Sequence, residues 1–162
     1  MKKAFTLMVA VLVLFTIACK KDSTTKKAAS GENSWILDGV TYKTGITSRA
    51  NTSGGDKTTL INFWTAVPTS DFRVNGVSVS FATVPTASGT LKLKGGVGGT
   101  LTANQFELAA STLTKTYAYL GADVDITVTV TGGKVKVVIP EITLKCTTSD
   151  PDVKLSGTVQ EL

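Results

Sequence analysis

Hydrophobic and polar residues alternate along most of the chain, and the alternation is clearest between residues 124 and 139. An apolar residue occupies every second position on both sides of Gly132-Gly133. In a β-strand, successive side chains point to opposite faces, so this period predicts strands with one buried face. Two glycines between such runs are typical of a tight turn, because both central residues adopt positive φ. The pattern predicts a β-hairpin.

Similar but shorter runs fill the rest of the chain, separated by turn residues. Asp38-Gly39 is a dipeptide that favours a hairpin turn, and Asn75-Gly76 separates two of the predicted strands. Pro140 cannot donate to a strand ladder, which predicts an edge or a bulge there. Gly95–Gly99 is expected to be a loop, as is Asn51–Asp56. The predicted strands are 35–37, 40–42, 58–65, 71–74, 77–83, 90–94, 106–110, 115–120, 124–130, 135–139, 141–146 and 153–159.

After the first two dozen residues, no helical periodicity extends beyond one turn, so the pattern predicts an all-β domain with antiparallel pairing. We expect a single domain over residues 34–162. Short strands with one apolar face favour a β-sandwich. A calycin-like β-barrel is the alternative, because most connections look like hairpins between consecutive strands.

The first residues have the three parts of a secretory signal: a basic start at Lys2-Lys3, an apolar run from Ala4 to Ala18, and small residues before a cut site. As a helix, a run of about 15 residues would span about 22 Å, against roughly 30 Å of hydrocarbon in a bilayer. The run is therefore too short to be a good membrane anchor. Residues 1–18 are predicted to be a signal peptide.

Ile17-Ala18-Cys19 resembles a bacterial lipobox, and Cys19-Lys20-Lys21-Asp22 is similar to the start of many Bacteroidota lipoproteins. The resemblance implies that the Cys19 thiol receives a diacylglycerol and that the chain is cut before this residue. It also implies attachment to the outer membrane, with the domain facing either the cell surface or the periplasm. The lysines and the acid that follow Cys19 are associated with display at the cell surface. The competing interpretation is a plain secreted protein that is cut near Ala18 and not acylated.

The segment from Cys19 to about Asn33 is rich in Lys, Ser and Thr and lacks aromatic and branched aliphatic side chains. We treat it as residues 19–33. Such a segment cannot bury enough apolar surface to fold, so it is predicted to be a flexible tether. Removal of residues 1–18 takes away Lys2 and Lys3, which lowers the formal net charge from +5 to +3. A surplus this small and scattered does not indicate a nucleic-acid partner.

The chain contains no histidine. This excludes Ser-His-Asp and Cys-His catalysis and imidazole metal ligands. Glycoside hydrolysis needs only two carboxylates, but neither Glu107 nor Glu141 lies in an aromatic-rich context. If Cys19 is acylated, Cys146 is the only remaining thiol, and we expect it to be a buried small hydrophobe at the end of a strand. A Cys19–Cys146 disulfide arises only in unlipidated protein.

Two groups of residues are candidate sites. Asp123 and Asp125 project from one strand face, and Asp150 and Asp152 add two acids on a loop, which suits calcium; a solvated surface is the simpler interpretation. The other group consists of aromatic residues, which stack on sugars or protein partners or simply pack within a sheet. Tyr117 and Tyr119 share a strand face, and Trp64 lies opposite its neighbour Phe63. The candidate ligand-contact aromatics are Trp64, Tyr117 and Tyr119.

The sequence therefore predicts a non-enzymatic binding or structural lipoprotein. It would be anchored in the bilayer through acylated Cys19, without a cofactor, and would contact a glycan or an envelope protein. Two alternatives stay open. One is a carboxylate-based glycan hydrolase, and the other is a calycin-like carrier of small apolar ligands, which requires an empty barrel interior.

Overall fold

A computed structural model describes residues 33–51, 58–68, 74–148 and 150–162. Strands make up 59% of these residues and no helix occurs among them, which confirms the all-β prediction. The predicted signal peptide and nearly all of the predicted tether, including Cys19, lie outside the described residues. The strands are β1 (Ser34–Leu37), β2 (Val40–Lys43), β3 (Ile46–Asn51), β4 (Thr59–Trp64), β5 (Gly76–Phe81), β6 (Gly89–Leu93), β7 (Gln105–Ser111), β8 (Thr116–Ala118), β9 (Val124–Thr131), β10 (Lys134–Cys146) and β11 (Val153–Gln160).

Hydrogen bonds join all of these strands into one sheet with the order β2-β1-β11-β10-β9-β6-β7-β5-β4-β3. The short strand β8 pairs with both β7 and β10, so that β6, β7, β8, β10 and β9 close into a five-stranded barrel. Two arms extend from this ring: β5-β4-β3 continues from β7, and β11-β1-β2 continues from β10. The predicted antiparallel pairing is found throughout this path except between β6 and β7, which run parallel.

One face of the sheet forms a single hydrophobic core. Cross-strand neighbours share this face all along the sheet, so the predicted alternation buries the same set of side chains from both arms and the ring. Leu93, Ile126 and Val137 from the ring are at most 1% exposed. They occupy the space that a carrier would leave for its ligand. The largest fully buried side chains include Trp35, Phe63, Phe81, Phe106, Leu37, Ile61, Leu144 and Leu155.

Strand β3, which the sequence pattern did not predict, lies across the ends of β10 and β11. The Arg49 Nη2 atom donates a hydrogen bond to the carbonyl oxygen of Gly133 in the β9–β10 turn, at 2.7 Å. The backbone N–H of Leu162, just after β11, donates to Thr47 Oγ1 at 3.2 Å. The first arm therefore folds back over the second, and the core lies between them.

Two of the predicted turns form. Asp38 and Gly39 have φ values of 50° and 78°, and Gly132 and Gly133 have 59° and 75°, so all four adopt the left-handed conformation that tight hairpins need. Asn75-Gly76, which the sequence places between two strands, differs from these turns, and the strand predicted before it at 71–74 lies outside the described residues except for Val74. Gly76 is the first residue of β5, and the carbonyl of Asn75 accepts a hydrogen bond from Thr65 N at 3.0 Å, so these residues lie in the β4–β5 connection.

Pro140 lies in a β-bulge, which is one of the two alternatives, edge or bulge, that the sequence predicts there. Ile139 pairs with Gly157 and Ile142 pairs with Leu155, so β10 carries one extra residue between these two pairs. Because the extra residue changes the phase of the alternation, Ile139 and Ile142 both face the core, while Pro140 and Glu141 are both exposed. The bulge lets one long strand keep its apolar face inward on both sides of a proline.

Candidate functional site

The two aspartates proposed for calcium are paired with lysines of the neighbouring strand. Asp125 lies directly opposite Lys92 in the β6–β9 ladder, with Nζ 3.1 Å from Oδ1. Asp123 lies 3.2 Å from Lys94 Nζ. Cross-strand pairs of opposite charge contribute modestly to sheet stability and account for both acids. They fit the interpretation as a solvated surface.

The two acids of the β10–β11 loop are engaged in the same way. Asp150 contacts Lys115 Nζ at 3.0 Å, and Asp152 contacts Lys145. The hydrogen bond from Lys115 lowers the pKa of Asp150. Within the described ranges, no three His, Cys, Asp or Glu side chains are grouped so that they could hold a metal ion. The geometry therefore gives no support to a calcium site at these four acids.

The two candidate tyrosines are part of the core. Tyr117 is 6% exposed and Tyr119 is 5% exposed, and burial raises the pKa of both phenols. The hydroxyl of Tyr119 donates a hydrogen bond to the carbonyl of Ala122. Their rings fill space between strands and do not present a face to a ligand.

Trp64 is the candidate aromatic that stays accessible. Phe63 points into the core and is 0% exposed, whereas Trp64 lies on the outer face of β4 and is half-buried. Its cross-strand partner is Gly76, where an added Cβ would lie 2.4 Å from Trp64 Cδ1. The indole ring therefore lies against the bare backbone of Gly76, a contact that only glycine permits.

Cys146 differs from the prediction of a buried hydrophobe. It ends β10 half-exposed, because β8 covers only one side of this strand end. Its Sγ atom lies 3.2 Å from Thr148 Oγ1 and 4.0 Å from Asp150 Oδ2. Hydrogen bonding with Thr148 lowers the pKa of the Cys146 thiol. Asp150, the acid in this contact, is already paired with Lys115.

Two glutamates are held in ways that the sequence did not indicate. The Glu107 carboxylate accepts hydrogen bonds from the backbone N–H groups of Gly98 and Gly99, at 2.9 and 3.0 Å, so it fixes the glycine loop. Glu161 is paired with Arg49 at 2.5 Å and accepts from Val135 N at 2.7 Å. Burial by itself raises the pKa of Glu161, but the hydrogen bonds from Arg49 and Val135 outweigh it and the pKa is lowered.

These contacts bear on the hydrolase alternative. A glycosidase needs one carboxylic acid whose pKa is raised and a second carboxylate that is free to act as base or nucleophile. Glu161 and Asp150 have lowered pKa values, which is the opposite of what a general acid needs. Glu107, Asp123, Asp125 and Asp152 are held by backbone amides or lysines. The geometry does not favour hydrolysis by any of these six groups.

The first described residue, Asn33, is clamped to the end of β11. Its Nδ2 atom donates to the carbonyl of Gln160 at 2.7 Å, and its Oδ1 atom accepts from Gln160 N at 2.8 Å. The carbonyl of Asn33 also accepts from Thr44 N at 3.0 Å. The chain therefore enters the domain at a fixed point. The sequence gives no indication of this clamp, because Asn33 and Gln160 are far apart in the chain and only the register of the strands brings them together.

Trp64 lies close to this entry point. Gly45, which follows Thr44, donates its N–H to the carbonyl of Trp64 at 2.8 Å, and an added Cβ at Gly45 would lie 2.3 Å from Thr65 O. Ile46 is half-buried opposite Trp64, and Val67, three residues beyond Trp64, is 71% exposed. We call Ile46, Trp64 and Val67 the basal patch: Ile46 and Trp64 are cross-strand partners, and Val67 follows Trp64 by three residues in the chain.

No family model, curated protein or solved structure matches this chain. In the parts of the chain that the structure describes, no helix is long and apolar enough to cross a bilayer.

Proposed function

We propose that this protein is a membrane-anchored, non-enzymatic lipoprotein whose β-domain is a binding or structural module of the cell envelope. The observation that carries the proposal is the position of the Asn33 clamp. It joins the domain to the chain at a single fixed point, 14 residues after the cysteine of the lipobox-like segment. A folded domain that begins shortly after the lipobox-like cysteine is an arrangement that suits a lipid anchor.

The charge and packing of the domain support a role without catalysis. Its core is filled by side chains. Six carboxylates are engaged by lysines, Arg49 or backbone amides: Glu107, Asp123, Asp125, Asp150, Asp152 and Glu161. The similarity of Cys19-Lys20-Lys21-Asp22 to Bacteroidota lipoproteins supports attachment to the outer membrane with the domain facing outward. A glycan or an envelope protein is the partner class that we propose for the exposed surface.

The anchor is tested with the full chain expressed in a Bacteroidota host. We expect wild-type protein to incorporate labelled palmitate and to sediment with the outer-membrane fraction. Cys19→Ala should lose the label and be released from the membrane, while Cys146→Ala, the matched control, should keep both. Membrane attachment of Cys19→Ala with unchanged mass would contradict the proposal.

The binding role is tested on the same acylated protein. Crosslinking in intact cells should capture an envelope component, or a glycan array should show a ligand. Protein that binds no array glycan and gives no specific crosslinked product would leave the anchor in place but remove the binding role. Turnover of a glycan substrate by the purified chain would instead restore the hydrolase alternative.

A further inference from the structure

We propose that the basal patch is a membrane-contact surface: Trp64, supported by Ile46 and Val67, rests in the headgroup region of the bilayer to which Cys19 is attached. This inference rests on the proposed lipid anchor and adds to it an orientation for the domain. The domain would then sit with its β4 end on the membrane and would not be held away from it.

The first argument is where the undescribed part of the chain joins the domain. Residues 1–32 precede Asn33, and two successive backbone hydrogen bonds, Thr44 N to Asn33 O and Gly45 N to Trp64 O, connect this residue to Trp64. Gly45 also fits tightly against Thr65, so the spacing between the entry point and Trp64 is fixed. The leader therefore joins the domain on the side that carries Trp64.

The second argument is the length of the leader. From Cys19 to Asn33 there are 14 residue steps. For the flexible tether that the sequence predicts here, this length corresponds to an end-to-end distance of about 20 Å, well below the extended limit of about 50 Å. The base of the domain is thus kept within a short distance of the headgroups. At the high effective concentration that such a tether gives, even a weak apolar contact is populated.

The third argument is the chemistry of the patch. Tryptophan is the residue that favours the membrane interface most, since its ring is apolar and its N–H can bond to headgroups. Trp64 is half-buried on the outer face, and Val67, three residues further along the chain, is 71% exposed. Because Gly76 supports one side of the indole, the ring is held at the surface at little cost in conformational freedom.

A bilayer fits this patch better than a protein partner does. A stable protein interface buries about 800 Å² on each side, which is far more than three side chains provide. A tethered domain needs only a small apolar contact, because the acyl chains supply the main attachment. The small size of the patch is therefore expected for a membrane contact.

The test uses the two tryptophans of the full-length acylated protein. The protein is reconstituted into vesicles of phosphatidylethanolamine and phosphatidylglycerol, with or without bromine on the acyl chains near the headgroup. Bromine quenches indole emission only at close range. Trp35 is 0% exposed inside the core, so we expect the quenched component to come from Trp64 alone.

Trp64→Phe should therefore abolish the quenching that wild-type protein shows, and Val67→Ser should reduce it. The matched control is Leu120→Ser, because Leu120 is also an exposed aliphatic residue, at 53%. Leu120 lies just before the first residue of β9, whereas the Gly132-Gly133 turn, which contacts Arg49 of β3, follows the last residue of β9. Leu120→Ser should leave the quenching unchanged. The contribution of Trp64 to the quenching is the difference between wild type and Trp64→Phe. A Trp35→Phe variant, which would change the core, is not needed.

Two results would overturn the inference in distinguishable ways. If mass spectrometry finds acyl chains on Cys19 but brominated lipid leaves the emission unchanged, the membrane contact is wrong and the anchor stands. Equal loss of quenching in Val67→Ser and Leu120→Ser would likewise contradict the patch. If Cys19 carries no acyl chain, both the proposed function and this inference fail.

Discussion

Each of the two tryptophans of this chain lies opposite a glycine of the neighbouring strand, but the two side chains are on opposite faces of the sheet. Trp35 in β1 lies opposite Gly157 in β11, and Trp64 in β4 lies opposite Gly76 in β5. In each case, an added Cβ on the glycine would come within 2.6 Å of the tryptophan residue. Trp35 is 0% exposed and stacks on Tyr42 with ring centroids 5.8 Å apart. Trp64 is half-exposed.

The difference in burial separates a tryptophan that the core needs, Trp35, from one that the fold accommodates at its surface, Trp64. On the inner face, Trp35 is surrounded by core residues, and its removal would leave a cavity. On the outer face, Trp64 gains one packed side from Gly76, while its other side meets the surroundings. A large aromatic side chain with one free face is what a binding surface requires, so the comparison points to Trp64.

Replacing each tryptophan by alanine should separate the two faces most strongly. Trp35→Ala should lower the free energy of unfolding by about 3–5 kcal/mol, because a fully buried ring leaves a cavity. Trp64→Ala should cost only about 1 kcal/mol, as is usual for a surface position with partial packing. Urea unfolding followed by circular dichroism measures both. Equal losses would show that Trp64 is a structural residue and would remove the contrast.

The two glycines should differ in the same direction. Gly157 has a φ of +136°, and a Cβ there would lie 2.5 Å from Ser34 O and 2.6 Å from Trp35 Cα, all backbone atoms that cannot move easily. Gly157→Ala should cost about 3 kcal/mol or more. At Gly76 the closest atom belongs to the Trp64 side chain, which can rotate outward, so Gly76→Ala should cost about 1–2 kcal/mol.

The control for these glycine variants is Gly89→Ala, where the added Cβ would meet no atom within 4 Å. Its free energy of unfolding should stay within about 0.5 kcal/mol of wild type. Gly76→Ala should also change the emission of Trp64, since the ring loses its support. A Gly157→Ala variant as stable as Gly89→Ala would contradict the argument from backbone contacts.

The sequence predicts this inner face well and the outer contacts poorly, for a physical reason. Alternation identified the core positions, and Gly132-Gly133 and Asp38-Gly39 identified turns whose φ values are positive. These signals are local. Which strands become neighbours is not local: the parallel pair β6–β7, the bridging strand β8 and the crossing of β3 over β10 and β11 depend on long-range packing.

The candidate site shows the same limit. Trp64 could be selected from its alternation with Phe63, but its place beside Asn33 depends on the β3–β4 register and on Gly45. Cys146 was predicted to be buried because it ends an apolar run. The structure leaves it half-exposed, since only two residues of β10 pair with β8 at that end. Strand ends are where alternation stops being informative.

Glu161 tests how much one inward-facing charge contributes. Its side chain is 8% exposed, and it accepts hydrogen bonds from Arg49 and from Val135 N. Glu161→Gln should lower the free energy of unfolding by about 1–3 kcal/mol at neutral pH, because a charge-assisted pair is lost. Chemical unfolding at several pH values measures this effect.

The pH dependence follows from the lowered pKa of Glu161. Below the ordinary glutamate pKa, the unfolded chain binds a proton that the native carboxylate does not. The stabilisation is thus fully present above the ordinary pKa of the unfolded state and is lost as the pH falls through the native value. The gap between wild type and Glu161→Gln should narrow in acid. Asp150, whose pKa is also lowered, is present in both proteins and cancels in the difference.

The smallest effect should come from the charged pairs on the outer face. Lys92 and Asp125 are 41% and 69% exposed, so water screens their attraction even though they lie directly opposite each other. A double-mutant cycle of Lys92→Met and Asp125→Asn should give a coupling of about 0.2–1 kcal/mol, which falls as salt is added. A coupling energy above about 2 kcal/mol that does not fall as salt is added would mean that water is excluded from this pair in solution. A partner bound over the outer face would have this effect. The result would then move the search for a binding surface from Trp64 to the β6–β9 face.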